Sequence, residues 1–366
     1  MFSKRAHWSA PVNELTRERR RRGDLLDLTE TNPTRAALPY PDDELAEALA
    51  RGARASYDPD PRGLRSAREA LASELSCDPD DLLLTASTSE AYSFLFKLLT
   101  DPGDAILTAT PSYPLLEHLA SLELVELRTF AMEFHRRWEI HDVPVDARTR
   151  ALLVVNPNNP TGSFVTSREQ DALAAHGIPI ISDEVFLDYP LEGSGTTFVR
   201  EDVLTFTLGG LSKSAGLPHF KLAWIRVSGP GKREALDALE LIADNFLSVA
   251  TPVQVALQEL LRIAPRIRAA ITQRTRANLA TLRANMPSSV QVLPVEGGWS
   301  AVMRVPRVMS DDELALALLD RGIVVQPGYF FDFASDGYIV VSLLTNEEVF
   351  KEATSRLSDF ATLRLK

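Results

Sequence analysis

Hydrophobic positions in the middle of the chain come in short unbroken runs. Leu82 to Thr85, Ala105 to Ala109, Ala151 to Val155 and Ile178 to Ser182 are each almost entirely apolar. Runs of that length with no polar alternation predict strands buried on both faces. Stretches with helical spacing separate them, as in Ala91 to Leu99, which follows a hydroxyl-rich opening at residues 86–90. Val203 to Leu208 and Leu222 to Val227 repeat the strand pattern. Buried strands alternating with helices predict an α/β fold with a mainly parallel sheet flanked by helices.

The flanking segments read differently. Residues 11–23 predict a short helix that opens after Pro11 and stops at Gly23, and residues 25–34 run from an apolar segment into a turn at Asn32-Pro33. Helices follow at 41–54 and 64–75, separated by a proline-rich loop from Tyr57 to Gly63. Beyond Gly231 the pattern is helical to about Ala284, with expected interruptions at Thr251-Pro252 and Ala264-Pro265. Strand patterns return at Val290 to Leu293, Trp299 to Val305, Ile323 to Gln326 and Tyr338 to Ser342. This shift predicts a large domain at 41–260 and a smaller α/β domain at 261–366, joined by the N-terminal arm 1–40.

Composition narrows the function classes. With 366 residues the chain is long enough for two domains. A net charge of -11 argues against nucleic acid or an anionic membrane as partner, because both select a basic face. The run Arg19 to Arg22 is read accordingly, as a solvated face or a contact with a neighbouring subunit. One cysteine, Cys77, forms no internal disulfide, and the six histidines show no ligand spacing, so no metal centre is expected. No apolar run approaches the length of a membrane span and no signal peptide is evident, which together point to the cytoplasm.

Candidate chemistry collects at strand ends. Lys213 lies among glycines and hydroxyls on an irregular connection between two strand patterns. A surface lysine in a turn is one reading; an amine whose pKa is lowered by burial, ready to form a Schiff base with an aldehyde cofactor, is the other. Such a cofactor needs an acid near a pyridine nitrogen, donors for a phosphate and an aromatic plate. Asp183-Glu184 follows a buried strand at the edge where open α/β sheets place ligands. Ser87, Thr88 and Ser89 open a helix, where they serve as caps or as an anion site. Asn156-Pro-Asn-Asn-Pro-Thr-Gly162 is a stiff loop that fixes Asn159. Tyr113, after another strand, is a core tyrosine or the aromatic plate.

In this order the motifs resemble those of the class I/II aminotransferases, the aspartate aminotransferase superfamily of fold-type-I pyridoxal-phosphate enzymes. The likeness covers nearly the whole chain: Asn156 to Gly162, Asp183 to Phe186, and Gly210 to Lys221 match three of that family's patterns. It implies that Lys213 carries pyridoxal 5'-phosphate and moves a proton during transfer. Asp183 then pairs with the pyridine nitrogen, Asn159 bonds the phenolic oxygen, and Tyr113 stacks on the ring. Ser87, Thr88, Ser89, Ser212 and Lys221 surround the phosphate, and Tyr57 reaches the phosphate of a second subunit in a homodimer. The substrates implied are a small amino donor and a keto acid. A lyase or decarboxylase on the same scaffold, or a non-catalytic cofactor-binding protein, is the alternative.

Four positions depart from the family's pattern. Phe186 stands where a tyrosine often bonds the phenolic oxygen, Gly210 where a serine helps hold the phosphate, and Lys221 where an arginine does. Val340 occupies the place of the arginine that binds the substrate carboxylate. An aliphatic side chain forms no ion pair, so another cation such as Arg304 or an N-terminal arginine takes that role, or the substrate is not an ordinary α-amino acid.

Overall fold

The computed structural model describes residues 12–365 together with Ser3 and Arg5. Helix α1 (Glu14–Arg21) is capped by Asn13, whose side chain accepts from the Thr16 amide at 2.8 Å. Pro11, where a helix start was expected, lies outside the described residues. Arginines of this segment tie the arm down, Arg19 to Asp27 and Arg22 to Asp320, each at 2.6 Å. A two-residue strand, β1 (Leu26–Asp27), precedes α2 (Asp42–Gly52) and α3 (Arg65–Leu75).

A run of strands and helices follows: β2 (Leu82–Thr85), α4 (Thr88–Leu99), β3 (Ala105–Thr110), α5 (Leu115–Leu122) and β4 (Glu126–Ala131). After a small hairpin of β5 (Glu133–Phe134) and β6 (Trp138–Glu139) come β7 (Thr149–Val155), α6 (Ser167–Ala174) and β8 (Ile180–Asp183). Next are β9 (Thr205–Gly210), the one-turn α7 (Leu211–Ser214), β10 (Ala223–Ser228) and α8 (Lys232–Asp244). These strands form one seven-stranded sheet in the order β2-β10-β9-β8-β7-β3-β4. Only β10 runs antiparallel to its neighbours.

Strand periodicity sends alternate side chains to opposite faces. Leu83, Ile106, Leu153, Ile181, Phe206 and Ile225 meet α4, α5 and α8 on one side. Leu82, Leu84 and Trp224 meet α2, α3 and the long α9 (Thr251–Asn285) on the other. The mainly parallel sheet with helices on both faces is the expected α/β fold.

Helix α9 departs from the sequence reading. It passes through Pro265 without a break, and the expected division between residues 260 and 261 falls inside it. Its earlier turns place Leu257, Leu260, Ile267 and Ile271 in the core under the large sheet, while Leu279 and Leu282 belong to the next core. Apolar packing along 35 residues outweighs the proline's local cost.

The remaining elements are β11 (Gln291–Val292), β12 (Ser300–Arg304), α10 (Asp311–Leu319), β13 (Ile323–Val324), β14 (Gln326–Pro327), β15 (Tyr338–Ser342) and α11 (Glu347–Arg364). A four-stranded sheet, β11-β12-β15-β14, packs against the end of α9 and α11. The arm joins it: β1 pairs in parallel with β13, and the Ser342 amide donates to Leu28 O at 2.7 Å.

Candidate active site

Carboxyl ends of β2, β3, β7 and β8 open onto a cavity of about 360 Å³. This is where open α/β sheets bind ligands. Asp183, the last residue of β8, is 6% exposed. Its Oδ2 accepts from the Tyr92 hydroxyl at 2.6 Å and its Oδ1 from the Val185 amide at 3.1 Å. Burial raises its pKa, while Tyr92, the Val185 amide and Lys213 oppose the rise. Three neighbours thus support a charge that its surroundings penalise.

Lys213 sits on α7, a turn of helix rather than the irregular connection expected. The Ser214 hydroxyl closes that turn by donating to Gly210 O at 2.9 Å. Tyr189 fixes the lysine's own carbonyl through a 2.6 Å hydrogen bond from its hydroxyl. The amine lies 5.2 Å from the centre of the Trp299 ring and 5.8 Å from that of Phe186. Trp299 meets Phe186 and Tyr189 edge-on, with centroids 5.2 and 5.1 Å apart. Removal of water by these rings lowers the Lys213 pKa, and the Asp183 charge works the other way. Lys213 is therefore not a solvated turn lysine.

Hydroxyls gather at the start of α4. Ser87 is its N-cap, with Oγ accepting from the Glu90 amide at 3.1 Å, and Thr88 and Ser89 form the first helical positions. Helix starts leave amides without intrahelical partners, which favours an anion. Ser212 and Lys221 line the same cavity, the latter in a left-handed conformation with φ 52°. Gly210 is tight as well: a Cβ there would meet the Ala223 Cβ at 3.0 Å. Asn159 faces in from its loop, where Oδ1 accepts from the Ser300 hydroxyl at 3.4 Å. Asn158 holds that loop by donating to Pro111 O at 3.0 Å and Thr161 Oγ1 at 2.8 Å. Tyr113, with its pKa raised by burial and by Asp183, completes the wall.

Nine of the ten expected residues thus share one cavity: Ser87, Thr88, Ser89, Tyr113, Asn159, Asp183, Ser212, Lys213 and Lys221. The tenth, Tyr57, is 69% exposed on a surface loop and lines a separate recess. Arg304 lies outside the cavity, paired with Gln291 at 2.6 Å. Val340 is buried among Val302, Phe331 and Phe333 and does not reach it. Tyr92, Trp299, Ser300 and Thr31 also line the cavity and were not expected. Tyr92 carried a usable signal, since it follows Thr88 by four residues and shares its helix face; Trp299 carried none.

His135 and His141 lie with Glu133 on the β5–β6 hairpin, their donor atoms within 4.8 Å of one another. Hairpin pairing, which sets Glu133 opposite Glu139, creates a proximity that linear spacing does not reveal. All three side chains are exposed.

A family profile, Aminotransferase class I and II, matches residues 23–357, and the chain belongs to that family. The aspartate/prephenate aminotransferase of Thermus thermophilus is 29% identical over 95% of this chain and 94% of its own length. Alanine aminotransferase of Mycobacterium tuberculosis is 25% identical over 92% of this chain and 85% of its own. Nicotianamine aminotransferase 1 of Oryza sativa subsp. japonica is 32% identical over 60% of this chain, and the match spans 49% of that relative's length. The solved alanine aminotransferase from Pyrococcus furiosus covers the whole of both chains with a TM-score of 0.87 at 24% identity, a likeness of fold. The protein is an aminotransferase on the fold-type-I scaffold.

Proposed function

We propose that the chain transfers an amino group between a small amino donor and a keto acid, with pyridoxal 5'-phosphate held in the 360 Å³ cavity and anchored on Lys213. The observation that carries this reading is a desolvated amine and a buried, hydrogen-bonded carboxylate facing the same space. When bound, the cofactor supplies an aldehyde that takes up the amino group and a ring that withdraws electrons from the adjacent carbon. The donor set fits it: a carboxylate for the ring nitrogen at Asp183, an amide for the phenolic oxygen at Asn159, an aromatic plate at Tyr113. Ser87, Thr88, Ser89, Ser212 and Lys221 would take the phosphate at the α4 start, with Gly210 on the same wall.

Each side chain then has a defined task. Lys213 gives up its proton more readily than a surface lysine, so its amine serves as anchor and, once released, as the base that moves the substrate proton. Tyr92 keeps Asp183 fixed and ionisable opposite a cationic ring nitrogen. Trp299 and Phe186 exclude water from the Lys213 amine. Tyr57 would serve a second copy of the chain in a homodimer. In support, Tyr57 is exposed, and so is Phe246, whose ring packs 5.2 Å from that of Phe94 in the wall of the same recess. No helix among the described residues is long and apolar enough to cross a membrane. With the acidic charge, this supports a cytoplasmic enzyme acting on small molecules rather than nucleic acid.

Lys213→Ala tests the assignment. The variant is expected to lose both the borohydride-reducible cofactor adduct and transamination with a panel of amino donors. Retention of the adduct with full activity would place the anchor elsewhere.

A further inference from the structure

A second cavity of about 240 Å³ lies behind the Lys213 loop, on the face of the sheet away from α4 and α8. Gly209, Thr207 and Trp224 line it, and it borders residues adjacent to the active site on three counts. Glu184 follows Asp183, Ser214 follows Lys213, and Gly209 precedes Gly210.

Its walls carry opposite charges that do not meet. Arg226, on β10, spends one donor on Leu75 O at 3.2 Å; its Nε is buried without a partner, and no carboxylate among the described residues lies within 4.0 Å of it. A guanidinium offers five donors in a planar fork, so the side that matches a carboxylate is unspent. Glu184 faces the same space with no cation beside it. Its Oε1 accepts from the Phe198 amide at 2.6 Å and the Ser182 hydroxyl at 3.0 Å, and its Oε2 accepts only from the Thr197 hydroxyl at 2.6 Å. A carboxylate accepts about four hydrogen bonds, which leaves one place on Oε2. The cavity's other two acids share a cation of their own: Arg268 lies 3.3 Å from Asp188 and 3.8 Å from Glu74.

Arg226 is half-buried with its Nε shut off from water, and burial penalises the Glu184 charge. A charge so placed without a partner is costly, and two of opposite sign lining one cavity are both relieved by a ligand bearing the complementary pair. We propose that this cavity binds a small amino acid as an effector, its carboxylate on Arg226 and its ammonium on Glu184. The ligand touches Gly209 and Ser214, so its occupancy is transmitted to the turn that positions Lys213. The proposal does not depend on which amino donor the active cavity accepts.

The test uses the cofactor-loaded enzyme reduced with borohydride, which stops an amino acid from condensing with the cofactor, and calorimetric titration with each of the twenty common amino acids. At least one is expected to bind with one equivalent per chain. Arg226→Gln, which keeps a donor for Leu75 O, and Glu184→Gln, whose amide oxygen keeps the two hydrogen bonds accepted on Oε1 while its NH2 donates to the Thr197 hydroxyl, are each expected to weaken that binding tenfold or more. Neither side chain lines the active cavity, so basal turnover is expected to be unchanged. If Arg226→Gln does not fold, Glu184→Gln decides. Absence of binding to the reduced enzyme, or equal binding by parent and variants, overturns the proposal. Loss of the reducible adduct itself would instead count against the Lys213 assignment.

Discussion

Glu184 and Asp183 are adjacent acids in unlike surroundings. Asp183 has a nearby amine to answer it; Glu184 has hydrogen bonds and no cation, and burial pushes its carboxyl from 4.5 up to about 7. Because the folded protein holds the proton more tightly than the unfolded chain, the fold is favoured below pH 4.5 and loses stability as pH rises through about 7. The full loss is on the order of 3 kcal/mol. Glu184→Gln removes the charge and keeps the pattern of hydrogen bonds, its amide donating to the Thr197 hydroxyl. Denaturant unfolding is expected to find it more stable than the parent at pH 8 by up to about 3 kcal/mol, and equal near pH 4.5. A gain of the same size at both pH values would mean that packing, not charge, is responsible. The two acids were legible in the sequence because they end a buried strand. Tyr92 and Trp299 were not, since an aromatic residue on a helix face or a strand start looks the same whether it fills a core or walls a cavity.

Among the elements, those with strong periodicity were readable and those defined by partners were not. β2, β3, β7 and β8 stand close to their expected positions because an unbroken apolar run has few other uses. β4 has mostly exposed or half-buried residues, and its pairing with β3 supplies what its own pattern lacks. Helix α9 shows the opposite failure, with a strong stop signal overridden by packing. Ile263, Ala264 and Ile267 around Pro265 are buried, while Pro265 itself is exposed. A proline there removes the amide that would bond the carbonyl of Leu261, four residues earlier. Pro265→Ala is therefore expected to stabilise the protein by roughly 1–3 kcal/mol, the restored helical bond outweighing the freer unfolded chain. Thermal unfolding at fixed protein concentration reads this. A lower melting temperature would show that the proline's restraint on the unfolded chain outweighs the helical bond it removes.

At the scale of the whole molecule, Val340 decides how the two sheets meet. The family resemblance puts it where an arginine binds substrate, and on that footing alone Val340→Arg would improve binding of simple α-amino acids. The packing argues otherwise. Val340, fully buried on β15, shares one apolar cluster with Val302 of the small sheet, with Phe331 and Phe333 of the segment between β14 and β15, and with Phe130, Leu152 and Val154 of the large sheet. This apolar cluster runs between the sheets without reaching the cavity that holds Lys213. An arginine at 340 would be larger than the valine and would bury a guanidinium in that cluster with no acid among the residues named. The expected result is a loss of stability of about 3 kcal/mol or more, seen as a lower unfolding midpoint, with no decrease in KM for aspartate or alanine. Among the described residues the cavity wall offers two cations, Lys213 and Lys221, both assigned here to the cofactor. Wild-type activity with common α-amino acids is accordingly expected to be weak, by roughly ten- to a hundredfold in affinity for one missing charge-assisted bond. A Val340→Arg variant as stable as the parent and with a lower KM would show that the cluster opens, and that position 340 can reach the substrate after all.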